Sequence, residues 1–401
     1  MPDTFHEVNG VAHTSRQFEA YARRRQIPFL SIHCGPRTHL VSQGAVEVSE
    51  LKRGFARVSL DANLDYDLLL MRYAGRVLRQ VRDFGAELIH ITGPGDVGML
   101  GCYVAWRLKL PIVMSWHTNL HEYAGRRLHR LLRFLGAGRS ERIGAFAEKV
   151  SFDILAWFYR RARVVLAPNM ELVETMRGIT QRPVYLMPRG VETQLFAPAR
   201  RTRVGGRFRL GYVGRLTSEK NVRFLAELGK ALLKLGRMDF EIVIVGQGSD
   251  EAWLRENVPN AVFTGVLRGE PLAKEFANMD LFVFPSSTDT YGNVVVEALA
   301  SGVPAVVTTS GGPKFLVEAG VTGFAASSDQ EFVSAVELLM RDSGLHARMR
   351  LAAREYACGL SWDRVFEGVF EAYGHCCEHR LGAAVNPTSS GILTMHERGG
   401  A

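Results

Sequence analysis

A chain of 401 residues with 47% hydrophobic and 22% charged side chains is too long for one ordinary core and about right for two, and this composition excludes a disordered protein. The net charge is +8, no apolar run approaches the roughly 18 residues of a membrane helix, and no charged-then-apolar leader opens the chain. The five cysteines, Cys34, Cys102, Cys358, Cys376 and Cys377, show no metal-ligand spacing, so a reducing cytoplasm is the expected setting.

From the N-terminus, the first expected element is a helix over residues 11–25, and it comes early. A doubly wound sheet opens with a strand leading into its first glycine loop. Here that loop, Asn9-Gly10, follows only eight residues, and residues 1–5 are poor strand material. Either the first strand is absent or the true start lies upstream. Strands are expected at 27–33, 87–92, 111–116, 163–168 and 184–188, with a helix at 66–84. Between Arg126 and Arg163, ten Lys/Arg stand against three Asp/Glu. Leu128, Leu131, Leu132 and Leu135, then Phe146, Val150, Ile154, Trp157 and Phe158, recur there at helical spacing. Two basic amphipathic helices result. They fit either an anionic lipid surface or a packed pair with solvated arginines. Charge alone would suit nucleic acid, but no module that reads RNA or DNA is present in the pattern, so nucleic acid is not an expected partner.

Residues 196–206 combine Pro, Gly and arginines without periodicity and form the expected linker. Beyond it, strands are expected at 208–214, 240–246, 261–265, 281–285 and 305–308, with helices at 221–235 and 292–300. Alternating β and α elements mean parallel sheets joined by crossover helices. The expected fold is therefore α/β, with two Rossmann-like doubly wound lobes at residues 1–196 and 207–358. A last helical stretch occupies 359–381. The tail, 382–401, turns to Gly, Ala, Ser, Thr and Pro and is expected to be mobile.

Gly93-Pro94-Gly95-Asp96-Val97-Gly98 satisfies the dinucleotide fingerprint after a strand, but the next strand ends Met114-Ser115-Trp116-His117 with no carboxylate for a ribose. A tight loop lining a cleft is the better reading. The second lobe carries a stronger signal. Gly211-Tyr212-Val213-Gly214-Arg215 ends its first strand, and Ser218-Glu219-Lys220-Asn221 follows. Arg215 offers a planar fork of donors and Lys220 a flexible point charge, a pairing that suits a diphosphate. Both could instead cap a helix and face water.

Further on, a buried strand runs into a loop that holds Asp289, Thr290 and Tyr291, and the loop runs into a helix that opens near Gly292, Asn293, Val294 and Val295. Free backbone N–H groups at that helix start suit a phosphate, and Gly292 permits close approach. Asp289 and Glu297 stand eight positions apart, both towards the cleft, as acceptors for hexose and ribose hydroxyls. The plain alternative is a turn aspartate and an exposed helical glutamate. In the first lobe, His117 ends a strand at the crevice, where it could hydrogen-bond a sugar or stabilise leaving-group charge, or simply pack. His121 and Glu122 lack a third metal ligand at suitable spacing, so no metal is expected.

Several stretches together resemble a known family, the retaining glycosyltransferases of family 4 with the GT-B fold. They are residues 8–11, 115–119, 167–170, 188–196 (PRGVETQLF), 211–221 (GYVGRLTSEKN), 245–248, 284–302 and 311–313, in family order across nearly the whole chain. The nearest flavour is the lipid-directed α-mannosyltransferases that carry a TDT-[FY]-GNVV-x-EALASG run. The resemblance implies an acceptor lobe, a nucleotide-sugar lobe, and a final helix (359–381) crossing back to the first lobe, to which Phe366, Val369, Phe370 and Tyr373 are suited. It implies that Gly10 lies in the loop near the donor diphosphate, that His117 contacts the donor sugar, and that Arg215 and Lys220 beside Gly214 clamp the diphosphate. Asp289 would bind the transferred sugar, Glu297 the ribose, and the N–H groups of Val294 and Val295 the phosphate. Asn169 and Arg189 match cleft positions. Asp stands at 289 where the family's first acidic position is Glu.

The expected reaction moves a hexose with retention from a nucleoside-diphosphate sugar, GDP-mannose or a UDP-hexose, to a lipid or glycan acceptor. Neither cofactor nor metal is expected to take part. No residue is an obvious covalent nucleophile, so a front-side path assisted by the leaving diphosphate is expected. An epimerase or phosphorylase on the same architecture, a non-catalytic nucleotide-sugar-binding subunit and a membrane-binding module on residues 126–163 are the rival readings. Location at the inner face of the cytoplasmic membrane would follow from a lipid acceptor.

Overall fold

The computed structural model describes residues 1–7, 10–54, 57–61, 64–117 and 137–378. Asn9, Thr118, Asn119, His121, Glu122, the basic residues from Arg126 to Arg133 and the tail 382–401 lie outside the described residues.

The first lobe runs α1 (Gly10–Arg24), β1 (Phe29–Gly35), β2 (His39–Gln43), β3 (Val46–Lys52), β4 (Arg57–Asp61), β5 (Leu64–Asp67), α2 (Ala74–Phe84), β6 (Ile89–Ile91) and α3 (Asp96–Leu108). It continues with β7 (Ile112–Ser115), α4 (Ala137–Tyr159), β8 (Val164–Ala167), α5 (Met170–Thr180) and β9 (Val184–Leu186). The second lobe runs β10 (Phe208–Val213), α6 (Phe224–Lys234), β11 (Phe240–Val245), α7 (Glu251–Asn257), β12 (Ala261–Gly265) and α8 (Gly269–Asn278). Then come β13 (Leu281–Phe284), α9 (Asn293–Ala300), β14 (Ala305–Thr308), β15 (Gly323–Ala326), α10 (Asp329–Arg341), α11 (Ser343–Cys358) and α12 (Trp362–Glu378).

The second-lobe sheet has strand order β12-β11-β10-β13-β14-β15, all parallel. Its strands are continuous apolar runs, because helices cover both faces; Leu210, Ile242, Val243, Phe282 and Val306 are wholly buried. The chain winds outward from β10 to β12, then returns to β13 on the other side of β10. That reversal opens a crevice at the C-terminal ends of β10 and β13, where ligands bind in open α/β sheets.

The first lobe holds two part-sheets, β1-β3-β2 and β6-β7-β8-β9, and a β4–β5 hairpin. Neither β1 nor β6 has a strand neighbour on its facing edge among the described residues. A cavity of about 580 Å³, walled by Phe18, Leu30, Ile32, Ile89 and His90, separates them. Residues 1–5 do not form a strand, as expected; the Met1 ammonium donates to the His90 carbonyl at 2.6 Å and the Asp3 amide to Thr92 Oγ1 at 3.1 Å.

Three elements depart from the expectations. The helix expected over 66–84 starts only at Ala74, because the buried Asp67 carboxylate accepts from the Gly54 and Leu69 amides and pairs with Arg72, folding residues 66–73 into a strand end and a turn. Strands β2 to β5 and β15 were not expected. β2 is exposed along most of its length, so its register comes from the hairpin with β3, turned at Gly44 with φ +64°, and not from an apolar face. The linker is no free tether: Asn278 Oδ1 accepts from the Thr202 and Arg203 amides, and Arg201 pairs with Asp280 at 2.7 Å. The chain crosses between lobes instead at two adjacent points, where Val191 N–H donates to Leu360 O (2.9 Å) and Gly190 packs on Trp362.

Past that crossing, α12 returns to the first lobe. Trp362, Phe366, Val369 and Ala372 bury against Phe18, Tyr21, Val164 and Leu166. Arg24, the last residue of α1, and Arg25 just after it reach Asp363 and Glu367 at its exposed rim.

Candidate functional site

Beyond β10, Gly214 turns the chain where any Cβ would strike the Tyr212 hydroxyl at 2.9 Å. A short turn, Ser218–Lys220, then carries Lys220 inward. Its Nζ lies 2.8 Å from Asp289 Oδ1, and Ser286 Oγ donates to Asp289 Oδ2 at 2.6 Å. Half-exposed Arg215 pairs with Glu219 at 2.6 Å. These groups surround one phenol: Tyr212 is held well above its ordinary pKa by burial first, and it feels Asp289, Arg215 and Glu219. The loops after β10 and β13 thus bring Arg215, Lys220 and Asp289 together, as their spacing implies.

α9 begins at Gly292, whose φ of +100° suits glycine, and no side chain caps it. The N–H groups of Asn293 and Val294 have no protein partner among the described residues. The N–H of Val295 does not join them: it donates to the Gly292 carbonyl at 2.9 Å, because the first turn closes tightly. Gly10, at the start of α1, sits against this helix end; a Cβ on it would lie 3.3 Å from Asn293 Nδ2.

The segment Thr290–Tyr291 also docks on the first lobe. Thr290 Oγ1 donates to the His117 carbonyl (2.9 Å), Asn169 Nδ2 donates to the Thr290 carbonyl (2.8 Å), and the Tyr291 hydroxyl donates to the Arg189 carbonyl (2.9 Å). Asn169 is simultaneously the N-cap of α5, accepting from Leu172 N–H. His117, Asn169 and Arg189 are thereby joined to Thr290 and Tyr291 along one interlobe seam.

His117 is differently placed from its expected role. Its Nδ1 faces the Arg189 guanidinium, which can only donate, so Nδ1 accepts and the ring proton belongs on Nε2. Nε2 lies 2.7 Å from Ser115 Oγ, Ser115 Oγ lies 2.9 Å from His90 Nε2, and His90 Nδ1 lies 2.6 Å from the Tyr373 hydroxyl. One directed chain of hydrogen bonds therefore runs from Arg189 through His117 to α12. Burial first, then Arg189, pushes the His117 pKa well below 6.5, so the ring is neutral, and both nitrogens are engaged within the protein. It reaches a sugar only if one of these contacts yields.

Arg189 is wholly enclosed, its pKa pushed down to about 10 by burial, and its Nη1 has no partner. An uncompensated buried cation at the seam is what an anionic ligand would satisfy. Glu297, on α9, is half-buried, and its carboxyl has no hydrogen-bond partner among the described residues. Burial first, then the nearby Glu192, raises its pKa to about 8. Its charged neighbour is Glu192, near the end of the first lobe, and among the described residues it makes no ion pair with Lys220.

The sequence reading missed Ser286, Thr290, Glu219 and Glu192, small or acidic residues whose partners are far away in the chain. It also missed the occupant of the glycine loop. The Asp3 carboxylate accepts from the Gly95 and Gly98 amides, each at 2.9 Å, at the start of α3. The loop thus cradles the protein's own carboxylate where a dinucleotide phosphate would sit. Among the described residues, the group of His and carboxylate side chains close enough to share a cation is His6, His33 and Glu50, in the first-lobe sheet.

Comparison with known proteins bears on this geometry. The model "Glycosyltransferase Family 4" matches residues 8–195, and "Glycosyl transferases group 1" matches 207–342. The GDP-mannose-dependent alpha-mannosyltransferase of Mycobacterium tuberculosis is 33% identical over 315 residues, covering 75% of this chain and 75% of that protein. The protein of the same description from Mycolicibacterium smegmatis is 30% identical, covering 88% and 85%. Among solved structures, a sucrose-phosphate synthase from Thermosynechococcus elongatus superposes with a TM-score of 0.69 at 17% identity, covering 94% and 96%. That likeness speaks to the two-lobed fold alone.

Proposed function

The chain belongs to glycosyltransferase family 4 and is a glycosyltransferase, and from that premise we propose that it transfers mannose from GDP-mannose, with retention, to a lipid or glycolipid. The observation that carries the reading is the crevice between β10 and β13. It offers a cation beside an acid (Lys220, Asp289) and an uncapped helix start (Asn293, Val294), and the same helix carries the unpaired Glu297 carboxyl; these groups suit a hexose, a diphosphate and a ribose.

The donor diphosphate lies over the start of α9, where two free N–H groups and the helix dipole favour negative charge. Arg215 and Lys220 stabilise the charge that develops on the leaving diphosphate, a task that needs no metal ion. Asp289 accepts from hexose hydroxyls once Lys220 turns towards phosphate. Glu297 accepts from the ribose diol. No carboxylate is left for covalent catalysis in this scheme. The acceptor hydroxyl attacks from the face the diphosphate leaves, and the diphosphate takes its proton. His117, fixed and neutral, positions the seam and does not act as an acid.

The lipid acceptor draws support from α4. Phe146, Ile154 and Trp157 are 69%, 60% and 59% exposed, with Val150 on the same face, and Arg161 lies over the Trp157 ring. An exposed apolar stripe flanked by Lys149, Arg160 and Arg161 suits the interface of an anionic bilayer. No described helix is long and apolar enough to cross a membrane.

The test is thermal protection by a panel of nucleoside-diphosphate sugars, followed by a transfer assay with the stabilising donor. GDP-mannose should stabilise most, and the product should keep the α configuration by NMR. Protection by a UDP-hexose alone would refute the mannose reading, and donor turnover independent of any acceptor would refute transfer.

A further inference from the structure

We propose that His6, His33 and Glu50, with His39 at their edge, form a binding site for a zinc-class divalent cation, separate from the donor crevice. The register of the first-lobe sheet sets His33, Glu50 and His39 in a row. His33 of β1 is directly opposite Glu50 of β3, and His39 of β2 is opposite the same Glu50. Directly opposed residues share a face, so all three side chains project to one side. His6 arrives from the segment before α1 and puts Nε2 3.1 Å from Glu50 Oε1; His39 Nδ1 lies 3.6 Å from Oε2.

The hydrogen bonding makes the case for a cation. His33 is 1% exposed, and its Nδ1 lies 3.2 Å from the Cys34 carbonyl, which can only accept. The ring proton is therefore on Nδ1, and Nε2 presents a bare lone pair. That Nε2 is enclosed and has no hydrogen-bond partner, and neither has His39 Nδ1. The ligand atoms of His6, His33 and Glu50 all lie within 4.8 Å of one another. A lone pair and a carboxylate enclosed together repel unless a cation lies between them, and the His6 ring supplies at most one proton, to Glu50. The Nδ1–H to backbone carbonyl bond is also the arrangement that orients metal-bound imidazoles. Four-coordinate zinc needs ligand atoms at about 2.0–2.2 Å, so the side chains would draw in slightly; exposed His6 is free to do so.

Two neighbours keep the space. Gly35 leaves room for the Glu50 carboxylate, which any Cβ there would strike. Phe5 stacks flat on the His33 ring, with centroids 3.8 Å apart, leaving Nε2 open at the ring edge. The ion would fasten Phe5 and His6 to β1 and β3, just ahead of Gly10 and its contact with Asn293. Its role is to hold that segment, not to take part in transfer.

The experiment uses the full chain stripped with chelator and titrated with Co²⁺, whose visible bands report four-coordinate geometry. One equivalent should give those bands, Zn²⁺ should displace it, and Zn²⁺ should raise the melting temperature. Glu50→Gln and His33→Ala should abolish the bands. Because both positions are buried, His6→Ala serves as the surface variant: affinity should fall by at least the roughly tenfold typical of losing an outer-shell partner, with circular dichroism unchanged. A folded wild type without bands, or bands unaltered in both His6→Ala and Glu50→Gln, overturns the proposal. Neither readout depends on sugar transfer.

Discussion

Lys220 Nζ lies 2.8 Å from Asp289 Oδ1, so the cation assigned to the donor diphosphate and the acid assigned to its sugar neutralise each other before any donor enters. The pair is mostly enclosed, and removing one member strands the other. Lys220→Ala should lower kcat by about 10²–10³, the scale of losing one transition-state donor. The double variant Lys220→Met with Asp289→Asn removes both charges and should recover stability while staying inactive. Thermal melts beside initial rates separate the two effects; wild-type turnover in Lys220→Ala would refute the clamp.

Glu297 predicts a pH dependence. With its folded pKa raised from 4.5 to about 8, the free protein keeps a proton between those values that the unfolded chain has lost. Stability of the free protein should therefore fall as pH rises through that window, and Glu297→Gln should remove this slope. A ribose diol donates to the ionised form, so donor binding releases a proton. Affinity should tighten by about tenfold per pH unit below pH 8 and level above it. Calorimetry in buffers of different ionisation enthalpy reads the proton directly, and a pH-independent Kd would count against the ribose assignment.

Asn169 does two things at once, capping α5 and donating to the Thr290 carbonyl. Asn169→Ala should cost about 1 kcal/mol from the cap and further weaken the seam. Thr290→Val removes only the bond to the His117 carbonyl. If seam closure gates donor binding, both variants raise the donor KM, and Thr290→Val does so with little change in melting temperature.

The slot between β1 and β6 should accept a strand. An engineered extension of about six apolar β-formers ahead of Met1 would meet two strand edges that have no strand neighbour among the described residues, and relieve the buried Met1 ammonium, whose pKa burial pushes down to about 5. Its melting temperature should rise by several degrees, and amides of β1 and β6 should gain exchange protection. A scrambled polar extension is the control.

The α4 stripe predicts vesicle binding that depends on anionic lipid. Ile154→Asp and Trp157→Ala should each weaken co-sedimentation with phosphatidylglycerol vesicles several-fold, without altering donor protection. Equal binding to neutral vesicles would point to nonspecific adsorption.

The sequence by itself determined the α/β alternation and the second-lobe strands β10 to β14, and it singled out Lys220, Asp289 and Glu297 as candidates. The central strands β10, β11, β13 and β14 are buried on both faces over most of their length, so their sequences are largely apolar. The groups proposed for the donor follow strand ends, where position in the chain dictates position in the crevice. The tertiary structure alone decided what each group faces. It turned both nitrogens of His117 inward, gave the Val295 amide to Gly292, filled the glycine loop with Asp3 and aligned His33, Glu50 and His39. Each of these rests on a partner tens of residues away or on one local turn of backbone. Composition and periodicity carry neither, because they record which face a residue shows and not which atom it meets there.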